Sequence, residues 1–313
     1  SSTPLWSYST VNDVDSVAIS ADGEYIVAGS QDNKVYLFDK DSSTPLWNYS
    51  SGGSVVSVAI SANGEYIVAG SNDGKVYLFD KDSSTPLWSY DTDDYVNEVD
   101  ISADGEYIVA CSENDKVYLF DKDSSTPLWS YTTGNHATSV AISADGEYIV
   151  AGSQDSKVYL FDRDSSTPLW SYSTGNQVLS VAISADGEYI TAGSNDYKVY
   201  LFDKDSSTPL WSYSTGADVA VAISADGEYI VAGSAGSYDK TYLFDKDSST
   251  PLWIYTPEDD VKSVSISADG KYLAVGSIDD NVYTFKNSLT SRPSLLPYGP
   301  RSGSEPDEPV TLR

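Results

Sequence analysis

S-V-A-I-S-A-D-G-E-Y-I-V-A-G-S-Q-D-N-K-V-Y-L-F-D, residues 16–39, runs on into K-D-S-S-T-P-L-W-N-Y, residues 40–49, and this unit recurs along the chain as far as residue 286. The tryptophans at 6, 47, 88, 129, 170, 211 and 253 are spaced by 41 residues five times and then by 42. The glycine of the turn S-A-[DN]-G-[EK]-Y gives the same count, falling at 23, 64, 105, 146, 187, 227 and 270. A period of this length marks an array in which each repeat is one supersecondary unit that buries its faces against its neighbours.

Within one unit, residues 14–20, 25–30, 34–39 and 45–49 are short runs rich in Val, Ile, Tyr, Phe and Trp, separated by Asp, Gly, Ser and Pro. Four strands joined by four turns follow. The inner runs are apolar on both faces, as expected of a sheet sandwiched between two others. No segment shows the 3.6 spacing of a helix, and an open stack of sheets would leave sticky edges. The fold predicted is all-β: a seven-bladed β-propeller of four-stranded antiparallel blades over residues 1–286. The last unit lacks an S-S-T-P-L-W segment, and residues 1–8 supply one. The first eight residues are therefore expected to pair with the C-terminal blade as its outer strand and close the ring. The proline of S-T-P-L-W is expected on that edge strand, where it costs no ladder partner.

Residues 16–39 resemble a WD40 repeat, and residues 34–49 are equally similar to repeats of quinoprotein-type propellers, whose outer strands also end in a Leu-Trp pair. Both families imply a propeller, and the WD40 family implies partner binding on the variable face of the disc. The chain departs from the WD40 pattern: the Gly-His pair is absent, and Phe38, Phe79 and Phe120 stand for the Trp of Trp-Asp. The family's Ser and Asp positions survive, as Ser30 and Asp32, but its four-residue hydrogen-bond network cannot form in the usual way.

Near-identical units let the chain act as its own alignment. Ten residues before the turn glycine stand Asp13, Ser54, Tyr95, His136, Gln177 and Asp260; eight before it stand Asp15, Val56, Asn97, Thr138, Leu179 and Lys262. Eight after it come Gln31, Asn72, Glu113, Gln154, Asn195 and Ile278. The sixth unit is one residue shorter around Asp218 and carries an insertion, residues 235–239, that includes Tyr238. Other positions hardly change on this reading. In an up-and-down meander these sites share one end of every sheet, so they read as a binding face. Drift at exposed loops is the alternative, but drift would also have scattered changes over the exposed D-K-D-S-S turn.

A net charge of −29, from 18 Lys and Arg against 47 Asp and Glu, repels phosphate backbones and anionic headgroups. Nucleic acid is excluded as a partner, and no apolar run is long enough to insert in a membrane. The single cysteine, Cys111, rules out an internal disulfide and reads as a small packed residue where five other units carry glycine. Asp39, Asp41, Asp80, Asp82, Asp121 and Asp123 repeat a D-x-D-x-S turn whose spacing begins like a calcium loop, without its glycine or its bidentate glutamate. Turn-capping by Asp and Ser is the simpler reading, leaving calcium as the weaker one and no other cofactor.

An enzyme is not expected. His136 is the only histidine, so triad or His-metal chemistry has no second member. Uniform blades supply rings of carboxylates in place of one distinct pair, and show no pocket specialised for a quinone. The seven tryptophans invite a sugar-binding reading, but beside invariant Leu and Tyr they read as packing between blades. The sequon at Asn48 is a lone match inside a strand.

Residues 287–313 are rich in Pro and Ser and hold three of the four arginines. They read as a linker or tail. Arg292 and Arg301, with Leu295, Leu296 and Tyr298 as apolar anchors, suit docking on an acidic disc. Two functions follow. The first is a scaffold recognising a protein or surface glycan through the variable face. The second is a structural block of an extracellular or cell-surface assembly, homo-oligomeric through the tail; an exported location is the expectation for a chain without methionine.

Overall fold

The computed structural model describes residues 4–236 and 239–288. They form 27 strands and no helix, so among the described residues no helix is long and apolar enough to cross a membrane. The strands build seven antiparallel sheets, each from consecutive segments; six have four strands and the last has three. In the first blade these are β1 (Val14–Ile19), β2 (Tyr25–Ser30), β3 (Lys34–Asp39) and β4 (Trp47–Ser50), close to the expected bounds. The outer strand starts later than expected. Pro45 lies in the turn ahead of it, and the first ladder bond runs from the Leu46 N–H to the Leu37 carbonyl at 2.8 Å.

The core lies between blades, which is why the inner strands are apolar on both faces. Val27, Val35 and Leu37 of the first blade pack with Val55, Val58, Ile67, Tyr77 and Phe79 of the second, and comparable clusters follow around the array. The tryptophans do what their outer position suggested. Trp47 stacks on Phe79 of the next blade at 5.3 Å and donates its indole N–H to the Lys81 carbonyl at 2.7 Å. The turn glycine is required twice over: Gly64 has φ +71°, and a Cβ there would meet Tyr25 of the preceding blade at 2.6 Å.

Cys111 stands where a glycine would otherwise face the next inner strand. A Cβ on Gly70 or Gly152 would meet Val96 or Val178 at 2.7 or 2.6 Å. The blade after Cys111 carries Ala137 in that column, where the smaller side chain makes room, and both are fully buried.

The expected pairing of residues 1–8 with the last blade is absent among the described residues. The seventh sheet ends at β27 (Val282–Lys286), and residues 4–8 lie in no strand. Their anchors point to the first blade: Trp6 stacks on Phe38 at 5.3 Å and donates to the Lys40 carbonyl, while Tyr8 lies against Tyr36 and Phe38. With both aromatics held there, reaching β27 requires the first and seventh blades to approach, and a cavity of about 620 Å³ separates them. Val17 is consequently 67 % exposed, against 6 % for its equivalent Val58, and Val282 is 75 % exposed, against 0 % for Val35.

Candidate recognition face

Backbone hydrogen bonds place two of the three variable columns together. Gln31 donates to the Asp13 carbonyl at 2.9 Å, Asn72 to Ser54 at 2.8 Å, Glu113 to Tyr95 at 2.9 Å, Gln154 to His136 at 2.9 Å, Asn195 to Gln177 at 2.8 Å and Ile278 to Asp260 at 3.0 Å. Both columns therefore sit at one end of each sheet.

The third column is a β-bulge. The ladder skips between Val14 and Ser16 on β1, leaving Asp15 out, and skips in the same way around Val56, Asn97, Thr138, Leu179 and Lys262. Bulges re-aim a side chain and increase local twist. In the sixth blade the ladder is regular from Asp218 onward, so the residue missing from that unit is the bulge itself. Leu179, Asp218 and Lys262 line a cavity of about 480 Å³ with Glu98, which carries the variable end of the sheets down between the inner strands.

The predicted residues do not all point outward. The Asn97 amide donates to the Ala137 carbonyl at 2.9 Å, and the Thr138 hydroxyl to the Val178 carbonyl at 2.6 Å, so these two join blades. Gln31 donates to Asp15 at 2.9 Å. His136 Nδ1 contacts the Glu113 carbonyl and lies 3.3 Å from Asp115 Oδ1, bridging the third and fourth blades. Tyr95 is exposed at the rim of a small acidic cavity with Asn72, Asp73, Asp91, Asp93 and Asp94, and Ile278 is exposed beside the last blade. Tyr238 and the tail residues Arg292, Leu295, Leu296, Tyr298 and Arg301 lie outside the described residues.

A frame built on the surviving Ser and Asp supports these loops in five of the seven blades; in the third Asn114 stands for the Asp, and in the sixth the Tyr242 hydroxyl donates to the Thr215 carbonyl. Ser30 Oγ donates to the Asp13 carbonyl at 2.8 Å and accepts from the Asp32 N–H at 3.1 Å. Asp32 Oδ2 accepts from the Tyr36 hydroxyl at 2.6 Å and the Val11 N–H at 3.2 Å. Asp73 repeats this with Tyr77 and the Gly52 N–H. Burial, and then the Asp73 carboxylate, push the Tyr77 hydroxyl far above its ordinary range, which keeps it a donor. Tyrosine thus takes over part of the absent network.

The opposite face is spent on turns and ion pairs. Asp39 accepts from the Asp41 N–H, Asp80 from Asp82 and Asp121 from Asp123, each at 2.8 Å, while Lys40 and Lys81 pair with Asp41 and Asp82. The D-x-D-x-S spacing caps a turn in each of these blades. Among the described residues three carboxylates converge only at Asp239, Asp259 and Asp260, where Asp260 also accepts from the Gly236 N–H at 2.6 Å.

Two features escaped the sequence reading that other positions hardly change. Tyr197 is exposed at φ +66° in a turn where other blades have Asn33, Gly74, Asp115, Ser156 and Asp280; a bulky side chain in the left-handed region is strained. Glu98 and Asp100 replace the Ser and Ala of the inner strand. Both were visible in the repeat columns, seven and five residues before the turn glycine.

No curated protein matches the chain. The family model described as outer membrane protein assembly factor BamB, a PQQ-type repeat, matches residues 2–139 and 97–289. Of the two resemblances, the quinoprotein one is therefore the one matched, and with almost the whole repeat array covered, the chain belongs to the BamB-like family of quinoprotein-like β-propellers.

Proposed function

We propose that this propeller is a non-enzymatic scaffold that holds a protein partner on its variable face. One observation carries the reading: variation is collected at one end of every sheet and at the channel mouth, above a repeated Ser-Asp-Tyr frame that keeps the loops in place. A rigid scaffold presenting variable loops is the usual construction of a recognition surface. The family's description as an assembly factor favours a protein over a glycan.

The same proposal includes a closed ring. Support comes from contacts that each blade makes with the next. The Ala21 N–H donates to the Ala62 carbonyl, Ala62 to Ala103, and so on to Ala225 and Ala268, leaving Ala268 to Ala21 as the closing bond. Tyr25 covers Gly64 and Tyr229 covers Gly270, which leaves Tyr272 to cover Gly23. Since Trp47 lies opposite Leu37 and Tyr49 opposite Val35, Trp6 belongs opposite Thr284 and Tyr8 opposite Val282. Closure would bury Val17, Ile19 and Val282, each worth roughly 1.5 kcal/mol or more.

Replacing Tyr95, His136 and Gln177 together by alanine is expected to reduce partner capture from extract at least about tenfold, the loss typical of removing one anchoring side chain. The thermal midpoint should fall by only about 2–4 °C, the share of the single His136 contact with the third blade. Unchanged capture by a folded triple variant would remove the variable face from the account.

A further inference from the structure

The junction between the third and fourth blades is unlike the others. The third blade begins with β9 (Val96–Ile101) and the fourth with β13 (Ala137–Ile142). At four other junctions a serine on the inner strand accepts one N–H from the next blade: Ser16 from Val58 at 3.1 Å, Ser57 from Val99 at 3.1 Å, Ser139 from Val181 at 3.0 Å and Ser180 from Val221 at 3.2 Å; the sixth blade carries Ala220 at this position. On β9 that serine is Glu98, whose Oε2 accepts from the Val140 N–H at 2.8 Å. Two residues on, Asp100 replaces alanine. Its Oδ2 accepts from the Ile142 N–H at 3.0 Å and its Oδ1 from the Ile101 N–H at 2.9 Å. Cys111 and Ala137 are exchanged at the same junction, so the substitutions accumulate at one of the blade contacts.

Both carboxyls line the channel, in a cavity of about 430 Å³ walled otherwise by Ser, Val, Ala and Ile of the inner strands. The strands flanking β9 on the channel wall, β5 (Val55–Ile60) and β13, bring no titratable group. Within the blade, β10 (Tyr107–Ser112) places Cys111 opposite Glu98, its thiol neutral because burial pushes it well up. The strands β6 (Tyr66–Ser71) and β7 (Lys75–Asp80) carry Tyr66, Lys75, Tyr77 and Asp80, none of which bonds or pairs with either carboxyl among the described residues. Asp218 and Lys262 share the upper cavity with Glu98, and Lys262 makes no ion pair with it. Burial pushes the Glu98 carboxyl up to about 7 and Asp100 up to about 6, against the pull of the Ser139 hydroxyl and the Val140 N–H on Glu98 and of the Ile142 and Ile101 N–H groups on Asp100; the nearby Asp100 adds to the Glu98 shift.

We propose that Glu98 and Asp100 form a proton-controlled clasp across this one junction: neutral, the pair holds the Val140 and Ile142 amides against the channel wall; ionised, two adjacent anions loosen that contact. The sign follows from linkage. A carboxyl that binds its proton more tightly in the closed arrangement than in water must, on losing it, favour the open, hydrated arrangement. Neutral clasping therefore prevails below the range in which the two groups titrate, and loosening sets in as pH rises through it. Loosening also turns two negative charges into the channel beneath the variable face.

Hydrogen exchange of the intact chain, resolved to single amides and corrected for intrinsic rates, tests this with controls inside the same molecule. Between about pH 5 and about pH 8 the protection of Val140 and Ile142 should fall at least about tenfold, the factor carried by one unit of proton affinity. Val58 and Val221, held by Ser16 and Ser180 away from the pair, should show no such step. The double variant Glu98→Ser, Asp100→Ala installs the residues of the other blades, so it should fold and lose the step. Flat protection at Val140, an equal fall at the serine junctions, or a step that survives in the double variant would each overturn the clasp.

Discussion

Removal of residues 1–8 is expected to lower the thermal midpoint by roughly 10 °C and to make the transition broader. The segment contributes Trp6 and Tyr8, which cover Phe38 and Tyr36, and the Trp6 bond to the Lys40 carbonyl. Loss of a packed Trp costs about 3–5 kcal/mol, and each kcal/mol moves the midpoint of a domain this large by about 2–4 °C. The broadening has a separate origin. A repeat array is held by nearest-neighbour contacts, so an array with free ends frays from its terminal blades while a closed ring does not. Differential scanning calorimetry on the full and shortened chains checks both, with Trp6→Ala as the intermediate case. An unshifted, equally sharp transition would mean that the first eight residues take no part in closing the ring.

Ala137→Val should destabilise the protein by about 1–3 kcal/mol, because it adds two methyl groups against a buried Cys111 that already fills the space left by glycine at other junctions. Cys111→Gly alone should also cost about 1 kcal/mol, from chain entropy and the void beside Ala137. Together the two changes rebuild the Gly–Val contact of the neighbouring blades and should nearly restore stability. Chemical denaturation of the four proteins measures the coupling directly. Additive losses would show that Cys111 and Ala137 do not compensate for one another.

Much of this architecture was legible because a propeller writes its contacts into a period. The turn glycines, the Trp–Phe stacks and the shared end of the variable columns all follow from comparing positions one repeat apart. The remainder depends on what a period conceals. A bulge has no sequence signature of its own, so Asp15 and Lys262 read as ordinary variable positions until the ladder showed them left out of register. Asn97 and Thr138 looked like surface residues because backbone carbonyls across a blade contact leave no trace in composition. Glu98 and Asp100 were visible as departures from Ser and Ala. Their weight lies in their place, since the inner strand is where a carboxylate is most costly and therefore most informative. The Asp39 turn was legible from residue chemistry alone: its carboxylate accepts from the Asp41 N–H, the capping role that Asp and Ser favour in turns.

The central claim, that recognition belongs to the variable face, is tested most directly by a photoreactive side chain placed at Gln177 on that face and, in a second protein, at Thr208 on the constant D-S-S-T turn opposite. Each is irradiated in extract of the cells that make the protein, and the adducts are compared by mass spectrometry. The account predicts a discrete protein adduct from Gln177 and none from Thr208. An adduct from Thr208 alone, or the same adduct in equal yield from both, would contradict it.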